Sequence, residues 1–283
     1  MLSLHTNAAA LSAQNALSRT QNNLSTSMTR LSTGYRINSS MDDAAGLQIA
    51  TRLKAQTSGQ QVAMTNTQNS KSLLQTADGA FDEVTNMLVR MKDLATQAAD
   101  ASSNTDDKTA MQSEFDALGQ ELGNIMKNTT FGGSTLLVGG TLASAMTFQI
   151  GASSSEKMTV NLSTSLATLV SSVTTATSNY TTAATGTELT SAANTAIANL
   201  TTAINNVGTV RSSIGAAANR LDHINTNLGN ISSNTKAATG RIMDVDFATE
   251  SANMTSSQML LQAGTAMLKQ SNSMSSMVMS LLQ

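Results

Sequence analysis

Apolar residues recur every seven positions at both ends of the chain. The two rows consist of Leu4, Leu11, Leu17, Leu24 and Leu31 near the N-terminus, with one six-residue step, and of Leu260, Met267, Met274 and Leu281 near the C-terminus. A seven-residue repeat gives a helix an apolar face that needs another helix, and isolated helices are marginal in water. We therefore expect residues 2–31 and 245–283 to pack against each other or against copies in other subunits.

The middle of the chain has the apolar spacing of long helices. One series alternates in steps of three and four through Leu74, Ala77, Phe81, Val84, Leu88, Met91, Ala95 and Ala98. The same spacing returns over 111–125, after a polar connection, and predicts an antiparallel second helix. It returns again over 197–231, with one change of phase beside Gly208.

Boundary residues separate these helices. Gly34 predicts the end of the first helix, and Asp42-Asp43 offers an N-cap for the second. We expect Gly240 to interrupt the later helical pattern, and Asp246 to cap the last helix.

Residues 131–187 depart from the helical period. The stretches 146–151 and 157–162 alternate in polarity around turn-type residues, which predicts a β-hairpin. Residues 163–187 contain 14 Ser or Thr in 25 positions. We expect this segment to be a surface connection or a weakly ordered tip.

These elements predict a mainly α fold: a long antiparallel helical or coiled-coil rod, both termini forming a paired helical domain, and a small β-hairpin near the tip. The expected divisions are 1–41 and 245–283 for an inner coiled-coil domain, 42–162 (including the hairpin 146–162) and 190–244 for the rod, and 163–189 for a Ser/Thr-rich tip.

Composition favours assembly over catalysis. Aromatic residues make up 2% of the chain against 40% hydrophobic residues, which suits narrow helix seams better than binding pockets. Proline is absent, so long helices are permitted, and the absence of cysteine excludes disulfides and thiolate sites. The net charge of −2 argues against nucleic-acid binding. With no cleavable signal or membrane-spanning run, composition alone predicts a cytoplasmic protein.

Several motifs resemble those of bacterial flagellins. The N-terminal ones are 30–39 (RLSTGYRINS) and 42–46 (DDAAG), and the C-terminal ones include 246–250 (DFATE), 262–265 (QAGT) and the ending 280–282. Phe131-Gly132-Gly133 and 148–151 (FQIG) resemble flagellin segments around the small hairpin. The resemblance covers roughly residues 1–162 and 190–283, and the short middle is similar to that of small flagellins, including lateral ones.

The resemblance implies a subunit that polymerises into an extracellular filament for swimming or swarming, with both terminal helices lining an inner tube. It corrects the predicted location to secreted, because flagellins leave through a type III apparatus without a cleaved signal. The implied partners are other copies of the chain, filament cap and hook-junction proteins, and an export chaperone at the C-terminal helix. Neither nucleic acid nor membrane insertion is expected. Low-charge termini without neighbours should be largely disordered and fold on assembly.

Residues 90–97 allow two interpretations. Periodicity favours a solvated helix face with Met91 and Ala95 in the seam. The resemblance implies a surface that packs on neighbouring subunits and that a vertebrate Toll-like receptor recognises in free monomers. Its residues here are Arg90, Lys92, Asp93 and Leu94; Asp93 and Val89 depart from the usual residues.

The sequence predicts no catalytic residue, cofactor site or metal site. Asp42-Asp43 is better explained as a helix cap than as an acid–base pair. His5 and His223 lack metal-ligand spacing. The methionines of the C-terminal helix are interpreted as a pliable packing face, suited to the chaperone.

Three other functions are alternatives to a filament subunit. A hook–filament junction protein would resemble flagellin at both ends. A signalling coiled coil would continue as helix through 146–162, where the pattern is instead β-like. An enzyme is the weakest alternative, since the chain lacks a nucleophile–base set and a phosphate-binding loop.

Overall fold

A computed structural model of the chain describes residues 7–181 and 185–281, with the backbone alone over 275–281. The helices are α1 (Ala8–Thr33), α2 (Ala44–Ala98), α3 (Thr105–Asn128), α4 (Ser163–Ala176), α5 (Glu188–Ser191), α6 (Ala193–Met243) and α7 (Phe247–Leu281). The strands are β1 (Thr130–Phe131), β2 (Ser134–Thr135), β3 (Met146–Gln149) and β4 (Lys157–Val160). The predicted mainly α fold with a small hairpin is confirmed.

The chain divides into two compact units. Unit 1 comprises Met1–Thr57 and Ser233–Gln283, and unit 2 comprises Ser58–Ser232. The helices α2 and α6 contribute residues to both units.

Unit 2 contains a continuous apolar core. Every member of the regular series from Leu74 to Ala98 is buried in it, so the predicted face of α2 is confirmed. Phe115 and Leu122 of α3, with Leu200 and Val207 of α6, pack into the same cluster. Helix α3 begins with a capping box in which Asn104 and Asp107 bond each other's backbone N–H groups. The long helices of unit 2 are therefore fixed by one shared core.

The predicted hairpin lies in unit 2. Strands β3 and β4 pair antiparallel, with Met146 opposite Val160 and Gln149 opposite Lys157. Met158 and Val160 are buried, whereas Lys157 and Thr159 are exposed, which is the alternation that predicted the hairpin. At the earlier β1–β2 turn, Gly132 and Gly133 both have positive φ, a conformation in which a Cβ would be strained.

The first part of the Ser/Thr-rich segment is helical, which the sequence did not predict. Residues 163–176 form α4, which buries Leu166, Leu169 and Val173. On the exposed face of α4, the Thr168 and Thr174 hydroxyls donate hydrogen bonds to the backbone carbonyls four residues earlier, so they need no partner outside the helix. The prediction of a connection or weakly ordered tip was wrong for residues 163–176, because it gave the Ser/Thr content more weight than the three- and four-residue spacing of the apolar residues.

The ends of the helices follow local signals with one exception. Gly34 adopts φ +75° and its N–H donates to the Arg30 carbonyl, as a helix-ending glycine does. Asp43 accepts from the Gly46 N–H at the start of α2. The expected interruption at Gly240 is wrong, because α6 continues to Met243. The Gly240 carbonyl accepts a hydrogen bond from the Asp244 N–H, as in a regular helix. One glycine costs a helix only about 1 kcal/mol, which the rest of a long helix outweighs.

Candidate functional site

Helices α1 and α7 pack antiparallel within unit 1. Asn7 donates to the Ser271 hydroxyl (3.2 Å), Arg30 lies 3.8 Å from Glu250, and a Cβ on Gly264 would lie 3.1 Å from Leu17 Cδ1. Along both helices the less exposed positions recur in steps of three and four. They are Ala10, Ala13, Leu17, Thr20, Leu24, Ser27, Arg30 and Leu31 on α1, and Glu250, Met254, Ser257, Leu261, Gly264, Leu268 and Ser271 on α7. We call these two sets the intramolecular seam.

The leucines that the N-terminal heptad pattern placed on one packing face differ in their exposure in the structure. On α1, Leu17, Leu24 and Leu31 lie in the intramolecular seam, whereas Leu11 is more than half exposed. Leu4 lies outside the described residues, and so does the side chain of Leu281.

The predicted C-terminal row does not face α1. Leu260 is 59% exposed, Met267 68% and Met274 57%. A second row with the same seven-residue spacing, offset by one position, is less exposed and belongs to the intramolecular seam: Met254, Leu261 and Leu268. Sequence reasoning missed this row, although its spacing was as regular. We call Leu260, Met267 and Met274 the exposed row.

The α1–α7 pair has little apolar core of its own. Among the described residues, Ser27 is the only buried residue of α1 and Glu250 the only one of α7. The buried apolar residues that unit 1 does contain, Ile37 and Ala50, lie outside both helices. Seam contacts between half-buried Ala, Ser, Thr and Leu give less stabilisation than a closed core, because the free energy follows the apolar area removed from water.

The connections next to these helices are hydrogen-bonded to each other. The Arg36 N–H donates to the Met243 carbonyl (2.6 Å), its guanidinium donates to the Ile242 carbonyl (2.9 Å), and the Val245 N–H donates to the Gly34 carbonyl (3.0 Å). These bonds tie the α1–α2 connection to the α6–α7 connection. They fix where α1 and α7 begin their shared contact.

Two carboxylates organise these connections. The Asp246 side chain accepts from the Thr249 hydroxyl and the Ala248 N–H at the start of α7, and these bonds lower its pKa. The Asp42 carboxylate accepts from the backbone N–H groups of Ser39 and Asn38, which lowers its pKa as well. The predicted cap at Asp246 is confirmed, and neither carboxylate is paired with another acid for catalysis.

The second predicted surface, on α2, is only partly exposed. Arg90 is half exposed, and its guanidinium lies 2.7 Å from the Glu114 carboxylate of α3. Asp93 is exposed, and Lys92 is partly buried. Leu94 is 2% exposed and belongs to the core of unit 2. Its inclusion in a contact surface is corrected, because the three-residue step from Met91 places it on the inward face of α2.

A buried polar cluster that the sequence did not indicate joins α3 to the segment after α4. The Asp116 carboxylate accepts from the side-chain amides of Gln112 and Asn179 (2.7 Å each) and from the Gly186 N–H (3.0 Å). Gln112 also donates to Glu188 (2.9 Å). Such fully bonded groups position a segment without offering free reactive atoms.

The ionisation of Glu188 depends on the same cluster. Burial alone would raise the pKa of its carboxyl group, but hydrogen bonds from the Ser178 N–H and from Gln112 outweigh burial and lower the pKa. The cluster therefore favours the charged carboxylate.

The described part of the chain contains no group of three His, Cys, Asp or Glu side chains that could hold a metal ion. Within the same residues, no helix is long and apolar enough to span a membrane.

Two family models match the chain. The bacterial flagellin N-terminal helical region matches residues 4–142, and the bacterial flagellin C-terminal helical region matches residues 197–282. Together these matches span most of the sequence.

Individual relatives agree with the family models. Polar flagellin F of Vibrio parahaemolyticus serotype O3:K6 is 48% identical over 161 residues, covering 57% of this chain and 42% of that protein. B-type flagellin of Pseudomonas aeruginosa is 44% identical over 169 residues, covering 60% of this chain and 34% of that protein. The matched region thus spans less than half the length of these curated relatives.

A solved Vibrio parahaemolyticus structure described as a flagellar hook-associated protein has a TM-score of 0.54 and 14% identity, covering 72% of this chain and 100% of that chain. At that identity the likeness concerns the fold alone.

Proposed function

The chain belongs to the bacterial flagellin family, and from that premise we propose that it is the structural subunit of an extracellular flagellar filament built from copies of itself. The family is structural and not enzymatic. The observation that carries the proposal is the exposed row on α7, because three large apolar side chains at heptad spacing are more than half exposed although α7 packs against α1. Such a row requires a further helix, which another subunit can supply.

The contacts between subunits must join different surfaces. A filament grows without limit only when one patch meets a different patch and the rotation does not close. The exposed row on α7 and the exposed Leu11 on α1 are two such surfaces, in addition to the intramolecular seam. We assign polymerisation to these residues together with Leu17, Leu24 and Leu31, which the seam leaves half-buried.

We further propose that α1 and α7 become stably ordered only on assembly. The support is that each helix buries only one of its described side chains, Ser27 in α1 and Glu250 in α7, compared with the continuous core of unit 2. Amide hydrogen exchange tests this step: both helices should exchange rapidly in a dilute single chain and slowly in filaments, while unit 2 is protected in both. Protection of α1 and α7 in the dilute chain would contradict it.

The domain assignment follows the same proposal. Residues 1–41 and 245–283 form the inner coiled-coil domain, 42–162 and 190–244 the rod, and 163–189 a reduced variable segment. The proposed partners are the filament cap and hook-junction proteins, and an export chaperone that binds the C-terminal helix. Arg90, Lys92 and Asp93 are the proposed surface for neighbouring subunits and for a vertebrate Toll-like receptor.

Seeded growth tests the proposed function. Leu260→Ala combined with Met267→Ala removes two side chains that are more than half exposed. Full burial of each contributes about 1.5–3 kcal/mol, so roughly 1–2 kcal/mol per residue remains to be gained on assembly. The double variant therefore loses about 2–4 kcal/mol of assembly free energy, and at about 1.4 kcal/mol for each factor of ten the critical concentration should rise roughly 30- to 700-fold.

Lys269→Ala is the matched control. Lys269 lies nine residues after Leu260, on the opposite side of the same helix, so its truncation leaves the exposed row intact. The control should elongate filament seeds as the natural chain does. An unchanged critical concentration for the double variant would contradict the proposed role of the row.

The same assay separates a filament subunit from a hook–filament junction protein. A filament subunit elongates seeds for as long as free chain remains, whereas a junction protein stops after a limited layer. The hook-associated likeness extends to the fold alone and does not favour the junction role.

A further inference from the structure

The exposed methionines are confined to one of the two units. Among described side chains, every exposed methionine lies in unit 1: Met28, Met41, Met259, Met267 and Met274. Met41 is 93% exposed. The methionines of unit 2 are buried or intermediate, and Met91, Met126 and Met158 are at most 2% exposed. An oxidant in solution therefore reaches thioethers in unit 1 first.

We propose that Met267 and Met274 are sites of reversible oxidation to methionine sulfoxide, through which peroxide controls the entry of subunits into the filament. This inference rests on the proposed function, because it needs the exposed row to become buried between subunits. In this proposal, peroxide acts on the free chain before the chain enters the filament.

The chemistry requires only a peroxide and, for reversal, a dithiol. The thioether sulfur attacks one peroxide oxygen, the O–O bond breaks, an S=O bond forms and water leaves, with two electrons passing from sulfur to the peroxide. A methionine sulfoxide reductase reverses the change: the sulfoxide oxygen leaves as water, and the dithiol becomes a disulfide.

Because of where the two residues lie, their oxidation would disfavour packing between subunits. Met267 and Met274 are seven residues apart and form the exposed row with Leu260, so both sulfoxides would lie on one face of α7. A sulfoxide is a strong hydrogen-bond acceptor, and burying it against apolar neighbours without a donor is unfavourable. Oxidised chains should therefore be rejected, whereas chains already in a filament have their row covered.

The first test uses one partly oxidised pool and requires no variant. Purified chain is treated briefly with hydrogen peroxide, quenched, mixed with untreated seeds and centrifuged. Peptide mass mapping then compares sulfoxide in the pelleted filaments with sulfoxide in the chain left in solution. Sulfoxide at Met267 and Met274 should be at least about tenfold depleted in the pellet, while Met91, Met126 and Met158 remain reduced everywhere. An equal distribution of Met267 and Met274 sulfoxide would overturn the inference.

Matched variants locate the effect. Met267→Leu with Met274→Leu keeps an apolar side chain of similar volume, and peroxide treatment should not slow its elongation relative to the same variant left untreated. Met28→Leu with Met41→Leu removes two exposed thioethers outside the row, at 55% and 93% exposure, and should stay as sensitive as the natural chain. Equal sensitivity of both variants would refute the assignment to the exposed row.

Two controls separate this inference from the proposed function. Untreated chain must elongate seeds; if it does not, the proposed function itself is wrong. Treatment of the oxidised chain with sulfoxide reductase and a dithiol should restore elongation. If untreated chain grows and fully oxidised chain grows at the same rate, only the oxidation proposal fails.

Discussion

A methyl group placed at Gly123 tests how closely the segment after α4 approaches α3. A Cβ at this position would lie 2.7 Å from the backbone carbonyl oxygen of Tyr180. That carbonyl also accepts from the Lys127 ammonium group at 3.1 Å, so it is held in place. The contacting atom belongs to the backbone and cannot rotate away as a flexible side chain would. Gly123→Ala must therefore displace either the helix or the segment.

Gly79→Ala is the matched substitution. Gly79 lies inside α2, and a Cβ there would meet no atom within 4 Å. Alanine is favoured over glycine inside a helix by about 1 kcal/mol. Both variants gain this helix-propensity stabilisation, but Gly123→Ala also loses about 1–3 kcal/mol of stability through overpacking. We expect Gly79→Ala to raise the free energy of unfolding by about 1 kcal/mol and Gly123→Ala to lower it by about 1 kcal/mol.

Urea unfolding followed by circular dichroism measures this difference of about 2 kcal/mol, provided that both variants show the same denaturant slope. Thermal unfolding should agree, with the two midpoints separated by roughly 4–8 °C for a unit of this size. If Gly123→Ala is as stable as Gly79→Ala, the close approach of Tyr180 to α3 is refuted.

Two further predictions concern the buried polar cluster. Asp116→Ala removes the acceptor of three hydrogen bonds and should lower the free energy of unfolding by about 2–4 kcal/mol. The control Glu114→Ala, on the exposed side of α3, should change that free energy by less than about 1 kcal/mol. Equal losses for the two variants in urea unfolding would contradict the burial of the cluster. Because folding lowers the pKa of Glu188 from its ordinary value of 4.5, its ionised form stabilises the fold above that pH, and the contribution is lost as the pH falls through the folded pKa. Glu188→Gln should therefore weaken the loss of stability below about pH 4.5, and unfolding curves with the same pH dependence for both chains would rule this out.

Local signals in the sequence predicted the elements that depend on near neighbours. Gly34 ends α1 because its left-handed conformation suits glycine, and Asp246 caps α7 because its carboxylate reaches the free N–H groups of the first turn. The alternation around residues 146–162 likewise predicted β3 and β4. Each of these features is decided within a few residues, so one sequence suffices.

The Ser/Thr-rich segment could not be placed in the same way. Its position depends on Asp116 and on the absence of a side chain at Gly123, both on α3 and more than 50 residues earlier in the chain. A lone buried aspartate looks the same in a sequence as an exposed one. The partners that make it favourable become visible only when the chain is folded.

The sequence by itself determined the helical period, the caps and the family motifs, because these are properties of consecutive residues. Only the tertiary structure decided which of the two heptad rows on α7 is partly buried and which is exposed, and that Leu94 is buried on α2. Periodicity sets the angle between side chains around one helix. It does not specify which neighbour occupies each face, since that depends on the free energy of packing between segments far apart in the chain.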